Sequence, residues 1–103
     1  MPGHVPPFKL HFEIIFLESY SGLQPSERKA IDKAIKFLSV NPKHPSLNIH
    51  KAKNVKGKYA EGRNDVFLAY ASKNLRLTFE YGSALGTIAL RNCGHHESCE
   101  REI

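Results

Sequence analysis

The sequence predicts an α+β domain in which an N-terminal strand and two helices pack on an antiparallel sheet that ends in a three-stranded meander. Three observations carry this. "FKLHFEIIF" near the start alternates apolar and polar residues. "QPSERKAIDKAIKFLSVNP" repeats its apolar residues at helical spacing. "VFLAYA", "LRLTFEY" and "TIALRN" follow one another with short turns between them. With 103 residues the chain is sized for one domain. Residues 1–7 are expected to be a flexible leader, and residues 8–103 the single folded unit.

In order, Phe8, Leu10, Phe12 and Ile14 alternate with Lys9, His11 and Glu13, which predicts a strand over 8–16 with one wet face. "LESYSGL" reads as a short helical turn ended by Gly22. The long helix starts at Pro25, where the missing N–H costs nothing. Glu27 complements the positive end of its dipole. Ile31, Ala34, Ile35 and Leu38 form its apolar stripe. Asn41-Pro42 ends it, because the residue before proline disfavours helical geometry. Residues 43–63 carry weak periodicity and two glycines, and are expected to be a long loop with some strand near its end. In the second meander strand Leu75, Leu77, Phe79 and Tyr81 point one way and Arg76, Thr78 and Glu80 the other. The helices would cover the first set, leaving the second as a polar face with Arg91 nearby.

The net charge of +5 has an address. Lys43, Lys51, Lys53, Lys56, Lys58 and Arg63 stand against Glu61 alone in the stretch 43–63, and charges balance elsewhere. Clustered cations concentrate a polyanion and release its counterions. No apolar run reaches the ~20 residues of a membrane helix, and the N-terminus lacks the build of a signal peptide. The expectation is a cytoplasmic protein with no membrane partner.

"LRNCGHHESCE", Leu90 to Glu100, gathers cysteines, histidines and glutamates. Cys93, His95, His96 and Cys99 crowd into seven residues with no second ligand pair, a spacing that argues against zinc. No metal and no small-molecule cofactor is expected. Cys93 is expected to be a small, partly buried strand residue.

"LSVNPKHPSLNIHKAK", "NDVFLAYASKNLRLTF", "GTIALRN" and "GHHE", in this order, resemble the RelE/ParE superfamily of bacterial toxins across residues 8–99. The resemblance implies a small RelE-like fold and a toxin of a type II toxin–antitoxin system. In the ribonuclease branch it implies metal-independent cleavage of mRNA on the ribosome, by attack of the ribose 2′-hydroxyl on the adjacent phosphate. It implies a cognate antitoxin as partner, with mRNA and the ribosome as targets.

That chemistry needs a base, an acid and cations around the phosphate. Arg76 is the first candidate, since its planar fork matches phosphate oxygens. His96 matches the Gly-any-His-acidic signature, with His95 the alternative if the register slips, and Glu97 would orient the imidazole. Lys51, Lys53, Lys56, Arg63 and Arg91 are candidate RNA-phosphate contacts. Tyr59, Tyr70 and Tyr81 are candidates for stacking on bases. The tail "HHESCEREI" has no aromatic, where some ribonuclease toxins place a tyrosine. Two alternatives stand beside the nuclease: a ParE-like gyrase inhibitor without nuclease activity, and a non-catalytic basic nucleic-acid-binding domain.

Overall fold

The computed structural model describes residues 7–56, 65–82 and 86–95, with backbone alone at 53–56. Strand β1 is Lys9–Phe12, helix α1 Ile14–Ser21 and helix α2 Pro25–Val40. A single 3-10 turn, Pro45–Leu47, precedes strand β2, His50–Lys56. Strands β3 (Asp65–Tyr70), β4 (Leu75–Tyr81) and β5 (Thr87–His95) follow. They form one sheet in the order β1-β5-β4-β3-β2.

The meander β3-β4-β5 is antiparallel, as its turns require. The first strand departs from the expected antiparallel pattern: β1 runs parallel to β5, from Lys9↔Thr87 to Phe12↔Leu90. Parallel neighbours need a crossover connection, and the two helices begin that crossing. The sheet is therefore mixed.

Strand β1 also stops sooner than the alternation suggested. Ile14, Ile15 and Phe16 are consecutive apolar residues, which a two-residue period cannot place on one face. They open α1 instead, and Phe16 alone of the three is buried. The expected short turn is thus a helix of eight residues, ended by Gly22, whose N–H reaches Ser19 O.

Helix α2 begins and ends where its signals place it. Glu27 Oε1 accepts the N–H of Gln24 at 2.8 Å, satisfying an otherwise orphaned donor. Ile31, Ala34 and Leu38 are buried against Leu75, Leu77, Phe79, Ile88 and Leu90 on the sheet. Each buried Leu, Ile or Phe among these stabilises the fold by roughly 1.5–3 kcal/mol. Cys93 joins this core, and its thiol lies 3.9 Å from Phe16 O.

The basic stretch has more structure than expected, and its strand comes early. Leu47 plunges into the core and pins the 3-10 turn. Asn48 then adopts left-handed backbone geometry, φ 46°, and turns the chain into β2. Residues 57–64, which include Arg63, and the leader residues 1–6 lie outside the described residues.

The second face of the sheet is polar in sequence but not wet. Thr78 and Glu80 are 0% exposed and Arg76 is 7% exposed. Beside them Ala52, Val66 and Leu68 make a small second apolar cluster.

Candidate functional site

Arg76 is held from two directions. Its register partner across the hairpin is Tyr70, so both side chains leave the sheet on the same face. The guanidinium carbon lies 3.5 Å from the Tyr70 ring centroid, a cation–π stack. One terminal nitrogen of the guanidinium donates to the carbonyls of Ser72, Lys73 and Leu75, each at 3.1 Å. The tight turn between β3 and β4 folds its carbonyls toward the strand that follows, and Arg76 caps them. The expected surface arginine is a buried, fixed cation.

A third ring extends the row. His50, at the start of β2, pairs with Leu68 and so shares the face of Tyr70. Its imidazole meets Tyr70 edge-on, with centroids 6.1 Å apart and an angle of 72°. Its Nδ1 lies 3.4 Å from Asn48 O, which favours the proton on that nitrogen. Sequence reasoning missed His50 because residues 43–63 read as a loop. Pairing that stretch with "VFLAY" in register would have placed the imidazole beside Tyr70.

The C-terminal candidates divide. His95 pairs with Leu75, one rung from the Arg76↔Gly94 rung, and alternation turns it to the helix side. There its Nε2 sits 2.9 Å from Glu27 Oε2 on α2. Arg76 and His95 are not brought together. His96 and Glu97 lie outside the described residues.

Arg91 sits where the β4–β5 register shifts between Thr78 and Phe79, a β-bulge. Its Nε is 3.6 Å from Glu80 Oε2, and its side chain is 10% exposed. The guanidinium offsets part of the cost of burying that carboxylate. Arg91 thus faces Glu80 and not open solvent.

Lys51 pairs with Phe67, which puts it on the helix side of the edge strand. Its side chain is 60% exposed and its ammonium lies 3.7 Å from Asp65. Lys53 and Lys56 belong to β2 by backbone, with Lys56 opposite Asp65. Tyr81 packs among Phe8, Phe67 and Phe79, and burial raises its phenol above the ordinary tyrosine range. Tyr59 lies outside the described residues. Among the described residues, no group of three His, Cys, Asp or Glu could hold a metal, and no helix is long and apolar enough to cross a membrane.

A second surface is apolar. Ile14, Ile15 and Leu17 of α1 are more than half exposed, and Phe12 adjoins them. Between α1 and α2 a groove of about 310 Å³ is lined by Phe12, Phe16, Leu17, Tyr20, Asp32 and Ile35.

No protein-family model matches the chain, and no curated protein sequence matches it. Solved structures do match. The archaeal RelE–RelB complex from Pyrococcus horikoshii superposes with a TM-score of 0.65 at 10% identity, covering 86% of this chain and 94% of that one. The RelBE2 toxin–antitoxin complex of Mycobacterium tuberculosis gives 0.61 at 19% identity, covering 89% and 93%. The RelB–RelE antitoxin–toxin complex of Methanococcus jannaschii gives 0.60 at 22% identity, covering 85% and 92%. With two helices on one side of a five-stranded mixed sheet, the chain has the RelE-like toxin fold.

Proposed function

We propose that this chain is the toxin of a type II toxin–antitoxin pair and cleaves mRNA on the ribosome in the cytoplasm. The observation that supports this most is the Arg76 guanidinium, immobilised on Tyr70 and beside a third ring, His50. In the reaction the 2′-oxygen of a ribose forms a bond to the adjacent phosphorus while the bond from phosphorus to the 5′-oxygen breaks. The 2′-hydroxyl proton passes to a base, and an acid returns a proton to the 5′-oxygen. Negative charge grows on the phosphate between these events, and a cation already in place lowers its energy without rearrangement.

Arg76 takes that role. His96 serves as the acid, with Glu97 orienting it, as the "GHHE" signature implies. Two described histidines lie on Arg76's side of the sheet, His50 on β2 and His11 on β1, and His50 is the one that meets Tyr70. Lys51, Lys53, Lys56 and Arg63 contact RNA phosphates, which position a strand without reading its sequence. Arg91 pairs with Glu80, which shares Arg76's face of β4. The chemistry requires no metal, because arginine and lysine supply the positive charge. The antitoxin docks an amphipathic helix on the apolar ridge of α1, where Ile14, Ile15 and Leu17 stand ready.

Induced expression should arrest growth and yield transcripts with new 5′ ends in translated regions. Arg76→Lys keeps the charge and loses the fork, so it should be folded and at least about tenfold slower. Full-rate cleavage by that variant would remove Arg76 from the chemistry. One observation favours a second reading: Arg76 is almost fully buried and its terminal nitrogen is engaged with the turn. A ParE-like gyrase inhibitor, or a non-catalytic basic nucleic-acid-binding domain, needs no exposed arginine. Gyrase inhibition would give a DNA-damage response with intact transcripts, and simple binding would give neither.

A further inference from the structure

On the helix side of the sheet, away from Arg76, a cleft of about 480 Å³ opens between the loop after α2 and the rings of Phe67 and Tyr81. Ligand pockets commonly fall between about 300 and 1,000 Å³. The sequence "NPKHPSLNI" builds its wall, and nearly every residue is locked. Pro42 and Pro45 fix their own φ angles. Asn41 Oδ1 accepts the N–H of Lys43 at 3.1 Å, and Asn41 O accepts that of His44 at 2.9 Å. The His44 ring lies parallel to Phe37, with centroids 4.3 Å apart. Its Nδ1 accepts from the Ser46 N–H at 3.2 Å, and Ser46 Oγ lies at 2.7 Å. The neutral tautomer therefore carries its proton on Nε2, as a donor. Asn48, in left-handed geometry, adds an amide with both a donor and an acceptor.

The opposite wall is aromatic. Phe67 and Tyr81 meet edge-to-face with centroids 5.8 Å apart. One cation lines the cleft, Lys43; Lys51 lies beside Phe67 across the β2–β3 pair, where its ammonium meets Asp65. None of the described residues lining the cleft is acidic. Aromatic faces, amide and imidazole hydrogen-bonding groups and a flanking ammonium are together what a nucleotide unit needs.

We propose that this cleft is a nucleobase subsite for single-stranded RNA. It seats one base against the Phe67 and Tyr81 rings, with its edge read by Asn48 and His44 and its phosphate held by Lys43. The proposal deepens the nuclease reading and rests on it for the choice of RNA. Strand β2 is the sheet edge that separates this cleft from Arg76. An RNA strand crossing that edge past Lys51 would present to the cleft a base outside the dinucleotide being cut. Recognition is thereby separated from chemistry.

The test uses the full chain and a heptaribonucleotide carrying one 4-thiouridine and a fluorescent end. Binding is followed by anisotropy, photo-crosslinks are mapped by mass spectrometry, and cleavage is assayed on translating ribosomes. Asn48→Gly tolerates the left-handed backbone and deletes only the amide. Lys43→Gln deletes only the charge. The expected result is a crosslink within 42–49 or at Tyr81, and binding weakened about tenfold by Asn48→Gly. Crosslinks confined to other peptides, with both variants binding as tightly as the native chain, would overturn the subsite while leaving cleavage intact. Crosslinks in the cleft without cleavage would uphold the subsite and remove the nuclease. No binding by the native chain would overturn the subsite whatever the cleavage assay gives.

Discussion

Arg76 and His95 stand on adjacent rungs of the β4–β5 ladder and face opposite sides of the sheet. One residue of register separates a cation stacked on Tyr70 from an imidazole held by a helix. The two cannot act on one phosphate. Any histidine that works with Arg76 must reach the Tyr70 side.

Glu27 links two structures, because one oxygen caps α2 and the other meets His95. Glu27→Ala should therefore cost more than His95→Ala. The cap is worth about 1 kcal/mol, whereas a half-exposed contact such as His95–Glu27 has a median worth of about 0–1 kcal/mol. Urea denaturation of the two variants measures the difference. Equal losses would mean that Glu27 contributes nothing as a cap.

Removing Arg76 should loosen the turn it caps. Arg76→Ala takes a donor from the Ser72 and Lys73 carbonyls, while Leu75 O keeps the N–H groups of Ala71 and Ser72, and should destabilise by about 1–3 kcal/mol. A double-mutant cycle with Tyr70→Ala should give a coupling of about 0.5–2 kcal/mol, the scale of a partly desolvated cation–π pair. Additive losses would show that the stack carries no energy.

Glu80 and Arg91 should behave as a buried pair. Arg91→Met takes the Arg91 guanidinium from a buried carboxylate and should cost about 3–5 kcal/mol. Adding Glu80→Gln to that variant removes the buried charge and should recover part of the loss. Thermal melts of the single and double variants check this, and a double variant no more stable than the single would contradict it.

Two phenols should titrate late. Tyr20 donates to Asp32 Oδ1 at 2.6 Å; that hydrogen bond first, and burial second, raise it above the ordinary value. Burial raises Tyr81. A group that holds its proton more firmly when folded stabilises the fold fully below the unfolded-state value, about pH 10 for tyrosine. That contribution disappears as pH rises through the raised folded value. Absorbance titration should show a late-ionising component, and Tyr20→Phe should reduce it.

Much of this was legible in the residues. The meander was readable from its alternation, and α2 from its proline, its stripe and Asn41-Pro42. Three features were not. The shortening of β1 depended on three consecutive apolar residues whose fate is decided by what Phe16 packs against. The strand within 43–56 depended on pairing with β3, a long-range contact that leaves no local period. The burial of Arg76, Thr78 and Glu80 was hidden because alternation reports which face a residue takes, not whether that face meets water. His50 was missed for the second reason, and Arg91 was placed in solvent for the third.

The parallel pairing of β1 with β5 joins the earliest strand to the last one. During synthesis, Lys9–Phe12 waits without its neighbour until Thr87–Leu90 has cleared the exit tunnel. Helices α1 and α2 likewise lack the sheet they pack on until β4 and β5 emerge. The early strand and both helices therefore stay without their packing partner until β4 and β5 are available, and the core closes late.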